Sequence, residues 1–129
     1  MTKACIVIDL GFGDAGKGSV VDFLVAQKKS DLVVRFNGGA QAAHNVVTGA
    51  RHHTFRQFGS GTFTGARTLY SSYALFDPLL FLEEVKALEG EGVTHPRTLF
   101  FVEEDCVITT IFQQAMNRVR EIVRGEGRH

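Results

Sequence analysis

The sequence predicts an α/β fold with a mainly parallel sheet flanked by helices, and a small β-hairpin excursion from that sheet. An apolar, β-branched run at residues 4–10 ends at a glycine-rich loop, which is typical of a buried strand. Helical spacing follows the loop, and a second apolar run occupies residues 31–36. Strand, glycine turn, helix and strand make a βαβ unit, so we expect the two strands to pair in parallel.

The remaining elements follow from local patterns. Residues 17–29 are predicted to form the first helix, because apolar residues recur at helical spacing. Residues 45–48 and 51–58 are predicted to form two strands joined at a turn, so the hairpin excursion spans residues 44–58. Asp77 and Pro78 predict a helix start, since an N-cap acceptor followed by proline is a common beginning. Further strands are predicted at residues 68–73 and 98–102, and a last helix at 107–123.

Charge and composition argue against several classes of function. The chain has 129 residues, and 14 Lys and Arg balance 14 Asp and Glu to a formal net charge of zero. A neutral chain is a poor candidate for coating nucleic acid or an anionic membrane. We expect no signal peptide, and the sequence contains no apolar run of membrane-spanning length. Cys5 and Cys106 are predicted to be buried thiols in a reducing compartment, and we expect a cytoplasmic protein.

The loop at residues 11–18 (GFGDAGKG) is predicted to bind nucleotide phosphates. Glycines let backbone N–H groups converge, and the following helix N-terminus adds partial positive charge. Lys17 supplies a full charge for the β- and γ-phosphates. The spacing from Gly11 to Gly16 and Lys17 is that of a P-loop, which makes the predicted fold P-loop-like. Gly18, however, stands where that motif has the Ser or Thr that holds Mg²⁺.

Asp14 is the candidate replacement for the missing hydroxyl. A carboxylate inside a phosphate loop repels its ligand unless a metal ion or a proton transfer lies between them. Asp14 is therefore predicted to be a Mg²⁺ ligand, a general base, or both. The alternative is an ordinary strand-to-helix turn in which Asp14 is the helix N-cap.

A second loop, residues 37–44 (NGGAQAAH), follows the βαβ unit and is predicted to emerge at the same edge of the sheet. Taken together, FGDAGKG at residues 12–18, VD at 21–22 and VVRFNGG through AH at 33–44 resemble the adenylosuccinate synthetase family. The order and the spacing of these segments both agree with the family. The resemblance covers essentially the whole chain, but only the front part of that longer family.

The resemblance implies a GTP-dependent ligase of purine nucleotide biosynthesis, with Mg²⁺ as cofactor. Such an enzyme joins IMP, or a related 6-oxopurine nucleotide, to aspartate through a 6-phosphoryl intermediate. Asp14 then corresponds to the base that takes the N1 proton of IMP, and to a Mg²⁺ ligand together with the carbonyl of Ala43. Lys17 and His44 complete the catalytic set, His44 as the acid that hydrogen-bonds the departing β-phosphate oxygen.

The same resemblance implies two overlapping sets of binding residues. The GTP set comprises Gly13, Asp14, Ala15, Gly16, Lys17, Gly18, Ser19, Ala43, His44 and Asn45. The IMP set comprises Asp14, Ala15, Gly16, Lys17, Gln41, Ala42, Ala43 and His44. A homodimer of the full-length protein is implied as well. We expect the 129 residues to be a single nucleotide-binding domain, a piece of a longer chain with little or no turnover alone.

Several positions depart from the family pattern. The family usually has Glu, Lys, Asn and Gly at the positions of Ala15, Ser19, Gln41 and Ala43. These changes favour a divergent relative and leave the purine and the phosphate donor open. The chain has no Asn-Lys-x-Asp motif, so GTP rather than ATP rests on the resemblance. Another P-loop kinase or NTPase, and a non-catalytic nucleotide-binding module, remain alternatives.

Other charged and aromatic residues are predicted to have structural roles. His52 and His53 are adjacent in a strand, so they should point to opposite faces at a solvated edge rather than bind a metal. The phenylalanines are predicted to fill the core. Solvated surface charge is predicted for Glu83, Glu84, Glu103, Glu104 and Asp105.

Overall fold

The computed structural model describes residues 3–11, 13, 15–40, 43–49 and 51–125. The helices are α1 (Lys17–Lys28), α2 (Pro78–Gly90) and α3 (Ile111–Arg124). The strands are β1 (Leu32–Arg35), β2 (His44–Thr48), β3 (Arg51–Phe55), β4 (Arg67–Tyr70), β5 (Leu75–Phe76), β6 (Phe100–Val102) and β7 (Val107–Ile108). Short 3-10 turns lie at Thr62–Thr64 and Pro96–Leu99.

The strands confirm the predicted α/β class. A parallel sheet has the order β1-β4-β6, with Leu32 opposite Arg67 and Thr68 opposite Phe100. A second parallel pair joins β5 to β7. The predicted hairpin is also confirmed, since β2 and β3 pair antiparallel from His44 opposite Phe55 to the turn. The structure is therefore mainly parallel, with one antiparallel excursion.

The predicted strand at residues 4–10 is wrong. These residues belong to no strand, and Ile6, Ile8 and Leu10 are 85%, 72% and 94% exposed. The parallel partner of β1 is β4 instead of this segment. A run that is apolar on both faces needs cover on both faces to form a buried strand. Among the described residues, these side chains lack that cover.

Helix α2 begins as the sequence predicts. Asp77 is the N-cap, and its carboxylate accepts hydrogen bonds from the backbone N–H groups of Leu79 and Leu80 at 3.0 and 3.1 Å. The helix places Val85 and Leu88 against the hairpin residue Phe55, and all three are fully buried. Phe58 stacks on Phe81 with ring centroids 5.5 Å apart. The main core therefore lies between the hairpin, the segment after it and α2.

The C-terminal third differs from the prediction in its boundaries and burial. Residues 107–108 form β7, so the last helix begins at Ile111, capped by Thr110 through a capping box. The apolar face of this helix is exposed at Ile111, Phe112, Met116, Val119, Ile122 and Val123. Cys106 is buried as predicted, whereas Cys5 is exposed. Several phenylalanines are also exposed instead of filling the core, namely Phe23, Phe36, Phe101 and Phe112.

Glu84 corrects the prediction of solvated surface charge. Its side chain is buried, 5% exposed, and accepts hydrogen bonds from the backbone N–H groups of Arg56 (3.0 Å) and Gln57 (2.6 Å). His53 lies 3.3 Å from the same carboxylate and packs edge-on against Phe55. His52 is exposed on the other face of the strand, which confirms that the two histidines point to opposite faces. The prediction that His53 lies at a solvated edge is wrong, because its side chain is partly buried. The hydrogen bonds of Glu84 therefore connect α2 to the chain at the end of the hairpin.

The part of the chain that the structure describes contains no helix of sufficient length and apolar character to cross a membrane.

Candidate functional site

The N-terminus of α1 packs directly against His44, the first residue of β2. A Cβ atom placed on Gly18 would lie 2.6 Å from the Cβ, 2.9 Å from the Cγ and 3.3 Å from the Cα of His44. Real Cβ contacts do not approach so closely, because protein interiors are already packed to van der Waals distance. His44 therefore leaves no space for a side chain at position 18, so that only glycine fits there. This contact explains why the Ser or Thr of an ordinary P-loop is absent.

The helix start leaves backbone donors for an anion. The N-cap of α1 is Gly16, in a left-handed conformation with φ 75°, and it makes no side-chain capping bond within the described residues. Glycine adopts this conformation without the steric cost of a Cβ. Gly16 therefore holds the N-cap position, and Asp14 lies outside the described residues, so its role as a capping acceptor stays an alternative. Unsatisfied N–H groups at a helix start bind anions, and the helix dipole favours negative charge there.

Lys17, the first residue of α1, is held by a residue that sequence reasoning missed. Its ammonium forms an ion pair with Asp9, with Nζ 2.5 Å from Oδ2. The other oxygen of Asp9 accepts the backbone N–H of Gly11 at 2.8 Å. These hydrogen bonds, the one from Lys17 foremost, lower the pKa of Asp9. An acidic residue near the end of an apolar run, just before the glycine-rich loop, is the sequence signal that could have found it.

His44 lies in a partly buried, positively charged environment. Burial above all, and then the charges of Arg35 and Lys17, lower its pKa to about 4. The imidazole is therefore neutral near pH 7 in the absence of a ligand. Ser60 Oγ lies 3.4 Å from His44 Nδ1, and Ser60 is itself buried. Sequence reasoning missed Ser60, although its place in a Gly-Ser-Gly segment was a signal for close packing.

The other predicted site residues fall into three groups. The first group is exposed and lies on the first loop, on the first turn of α1 and at the end of the second loop. It comprises Gly13, Ala15, Gly16, Ser19 and Ala43. Asn45 directs its side chain across the hairpin, where its Oδ1 lies 2.7 Å from His52 Nε2 and accepts a bond from Thr54. Asp14, Gln41 and Ala42 lie outside the described residues. The structure thus brings together Lys17, Gly18 and His44.

A cavity of about 420 Å³ adjoins the second loop. Ala40 and Ala43 line it on the loop side, and Arg56 and Asp77 line it on the side of the hairpin and α2. This volume lies in the range of small-molecule sites. Asp77 uses one carboxylate oxygen as the α2 cap and the other to accept from Gln114. Arg56 is the cationic side chain among these lining residues, and it is therefore the one suited to an anionic ligand.

The residues present suit a metal ion that arrives with a nucleotide. In the described part of the chain, no three His, Cys, Asp or Glu side chains group into a metal site. Gly18 offers no hydroxyl, which leaves the carbonyl of Ala43 and the carboxylate of Asp14 as the predicted ligands. Mg²⁺ commonly takes one or two protein ligands together with substrate phosphates and water. A small donor set of this kind fits that pattern.

Comparison with known proteins identifies relatives along nearly the whole chain. A family profile described as adenylosuccinate synthetase matches residues 6–129. The adenylosuccinate synthetase of Borrelia turicatae (strain 91E135) is 32% identical over 119 residues, covering 92% of this chain and 27% of the relative. That of Desulfatibacillum aliphaticivorans is 34% identical over 120 residues, covering 93% and 27%. The chain thus spans about a quarter of the length of these curated relatives.

A solved structure supports the fold. The chain is similar to a fully ligated adenylosuccinate synthetase from Plasmodium falciparum, with a TM-score of 0.75 and 22% sequence identity. The similarity covers 91% of this chain and 27% of that one. At this identity the match establishes a shared α/β architecture.

Proposed function

The chain belongs to the adenylosuccinate synthetase family, and from that premise we propose that it carries the phosphoryl-transfer site of a GTP-dependent ligase. The substrates would be IMP, or a related 6-oxopurine nucleotide, and aspartate. The observation that supports the proposal is the packing of Gly18 against His44, because it brings the start of α1, which carries Lys17, next to this histidine. Phosphoryl transfer depends on positioning and charge neutralisation, which such a site supplies.

In the proposed reaction, the purine oxygen attacks the γ-phosphorus of GTP. Asp14 takes the N1 proton of the purine, so that electron density moves to the 6-oxygen as it attacks. GDP leaves with the bond electrons, and the 6-phosphoryl nucleotide forms. The amino group of aspartate then displaces the phosphate from the ring. The support for Asp14 is its place in the FGDAGKG motif that the family resemblance rests on.

Lys17 and His44 act on the phosphates. Lys17 is the first residue of α1 and lies beside the exposed glycine-rich loop. Its ammonium can therefore contact the β- and γ-phosphate oxygens as the reaction proceeds. His44 is neutral near pH 7, because burial and two neighbouring cations lower its pKa to about 4. If Nδ1 accepts from Ser60, the proton resides on Nε2, which can then donate to the departing β-phosphate oxygen. The growing negative charge on that oxygen strengthens this hydrogen bond.

Asp14 and the Ala43 carbonyl would hold Mg²⁺, and the ion would neutralise charge on the nucleotide phosphates. The cavity next to Ala43 supports a purine-nucleotide site there, with Arg56 as a candidate partner for the sugar phosphate. The participation of Gln41, Ala42 and Asn45 stays a prediction from the resemblance. So do GTP in preference to ATP, a homodimer, and a cytoplasmic location.

The kinase-like alternative is disfavoured by the same packing. A kinase or NTPase with an ordinary P-loop needs a Ser or Thr where Gly18 lies. The contact with His44 leaves no space for that side chain. A non-catalytic module would keep the two loops packed and bind nucleotide without transferring its γ-phosphate.

Lys17→Ala is expected to weaken GTP binding by about 30-fold or more, because it removes charge-assisted hydrogen bonds to the phosphates. Isothermal calorimetry on the full-length protein, with GTP, GDP and ATP and with or without Mg²⁺, measures this change. The matched control is Lys28→Ala, which removes the same charge from the exposed far end of α1. Equal GTP affinity in Lys17→Ala and the control would contradict the proposed phosphate site.

A further inference from the structure

Asp9 uses both carboxylate oxygens on the donors of the phosphate loop. Oδ2 accepts from the ammonium of Lys17 at 2.5 Å, and Oδ1 accepts from the backbone N–H of Gly11 at 2.8 Å. The Asp9 side chain is 13% exposed, whereas that of Lys17 is 38% exposed. The carboxylate therefore lies on the more sheltered side of the pair, and the ammonium can be reached from solvent.

The arrangement around Asp9 is that of an anion site already filled by the protein itself. A lysine ammonium and a loop N–H are the two kinds of donor with which phosphate loops hold phosphate oxygens. Two carboxylate oxygens on such donors imitate two oxygens of a phosphate. The hydrogen bonds from Lys17 and Gly11 lower the pKa of Asp9, so the carboxylate is ionised near pH 7.

We propose that Asp9 is an internal anion that competes with nucleotide phosphate for Lys17 and so lowers the phosphate affinity of the site. The inference rests on the proposed function, since it takes Lys17 to be the phosphate lysine. A ligand must supply enough anionic oxygens at Lys17 to replace the carboxylate there. The affinity of the loop for the β- and γ-phosphates is then lower with the Asp9 carboxylate present than it would be without it.

A purely structural role for Asp9 predicts the opposite effect. If the carboxylate only held the loop in shape, its removal would loosen Gly11 and Lys17 and weaken phosphate binding. If it competes, its removal frees the ammonium and strengthens binding. Removing a charged competitor from one charge-assisted hydrogen bond is expected to change the affinity by about tenfold.

The test measures dissociation constants of inorganic tripolyphosphate and of GTP by calorimetry on the full-length protein. Asp9→Asn is expected to bind both about tenfold more tightly than the wild type, while Asp9→Glu, which keeps the charge, stays close to the wild type. The matched control is Asp31→Asn, which removes an exposed carboxylate just before β1, at the end of that strand remote from the second loop. This control is expected to leave both constants unchanged.

A double-mutant cycle with Lys17→Ala separates competition from general repulsion. In the Lys17→Ala background, Asp9→Asn should change the tripolyphosphate constant far less than in the wild type, because there is no ammonium to release. Weaker or unchanged binding in Asp9→Asn, or equal tightening in both backgrounds, would overturn the inference. These outcomes leave the proposed function intact, which fails instead if Lys17→Ala itself does not affect GTP binding.

Discussion

Gly18→Ala is expected to lower kcat/KM of the proposed reaction in the full-length protein by about 100-fold or more, although it adds one methyl group. The new Cβ would overlap the Cβ, Cγ and Cα of His44 at 2.6, 2.9 and 3.3 Å. Because the backbone of His44 is also close, a change of side-chain rotamer cannot relieve the overlap. The second loop and α1 must move apart, and a displacement of about 1 Å between reacting groups can cost about 100-fold in rate.

Steady-state kinetics with GTP, IMP and aspartate measure this effect, and circular dichroism checks that the variant folds. Gly90→Ala is the matched control, because it adds the same methyl group to α2, where the described residues place no heavy atom within 4 Å of the new Cβ. We expect the control to keep wild-type activity. Full activity in Gly18→Ala would show that the two loops do not need this contact, and a gain in Gly18→Ser would favour the kinase-like alternative.

Glu84→Ala is expected to lower the free energy of unfolding by about 3 kcal/mol or more. The substitution leaves the backbone N–H groups of Arg56 and Gln57 without their acceptor, and Gln57 is fully buried. Buried donors without a partner lose their hydration and gain nothing in return. The contact of His53 with the carboxylate is lost as well.

Urea denaturation followed by circular dichroism measures the loss of stability from the shift in midpoint. Glu83→Ala is the control, since its neighbouring carboxylate is exposed on the same helix. We expect the control to change stability by less than about 0.5 kcal/mol. Equal stabilities of the two variants would show that the Glu84 contacts contribute nothing net.

The sequence predicted those elements that local chemistry determines. The N-cap at Asp77 and the hairpin turn between β2 and β3 depend on residues next to one another in the chain. The glycine-rich loop at residues 11–18 is recognisable for the same reason, since its glycines and Lys17 form a contiguous motif. The start of α1 at Lys17 also agrees with the prediction.

Several features that depend on distant partners were not predicted from the sequence. Glu84 has the sequence context of a surface helix residue, and it becomes buried because α2 places it under the end of β3. The segment at residues 4–10 has the composition of a central strand, but a strand also needs neighbours, which composition does not specify. Likewise, Asp9 and Ser60 contact Lys17 and His44 only once the fold brings them together.

In the proposed reaction, GTP phosphorylates the 6-oxygen of the purine before aspartate adds. The most direct measurement supplies the full-length protein with IMP labelled with ¹⁸O at position 6, together with GTP, Mg²⁺ and aspartate, and analyses the released phosphate by mass spectrometry. We expect the ¹⁸O atom of the purine to appear in that phosphate, one atom for each turnover. Released phosphate without the label, while GTP is consumed, would contradict it.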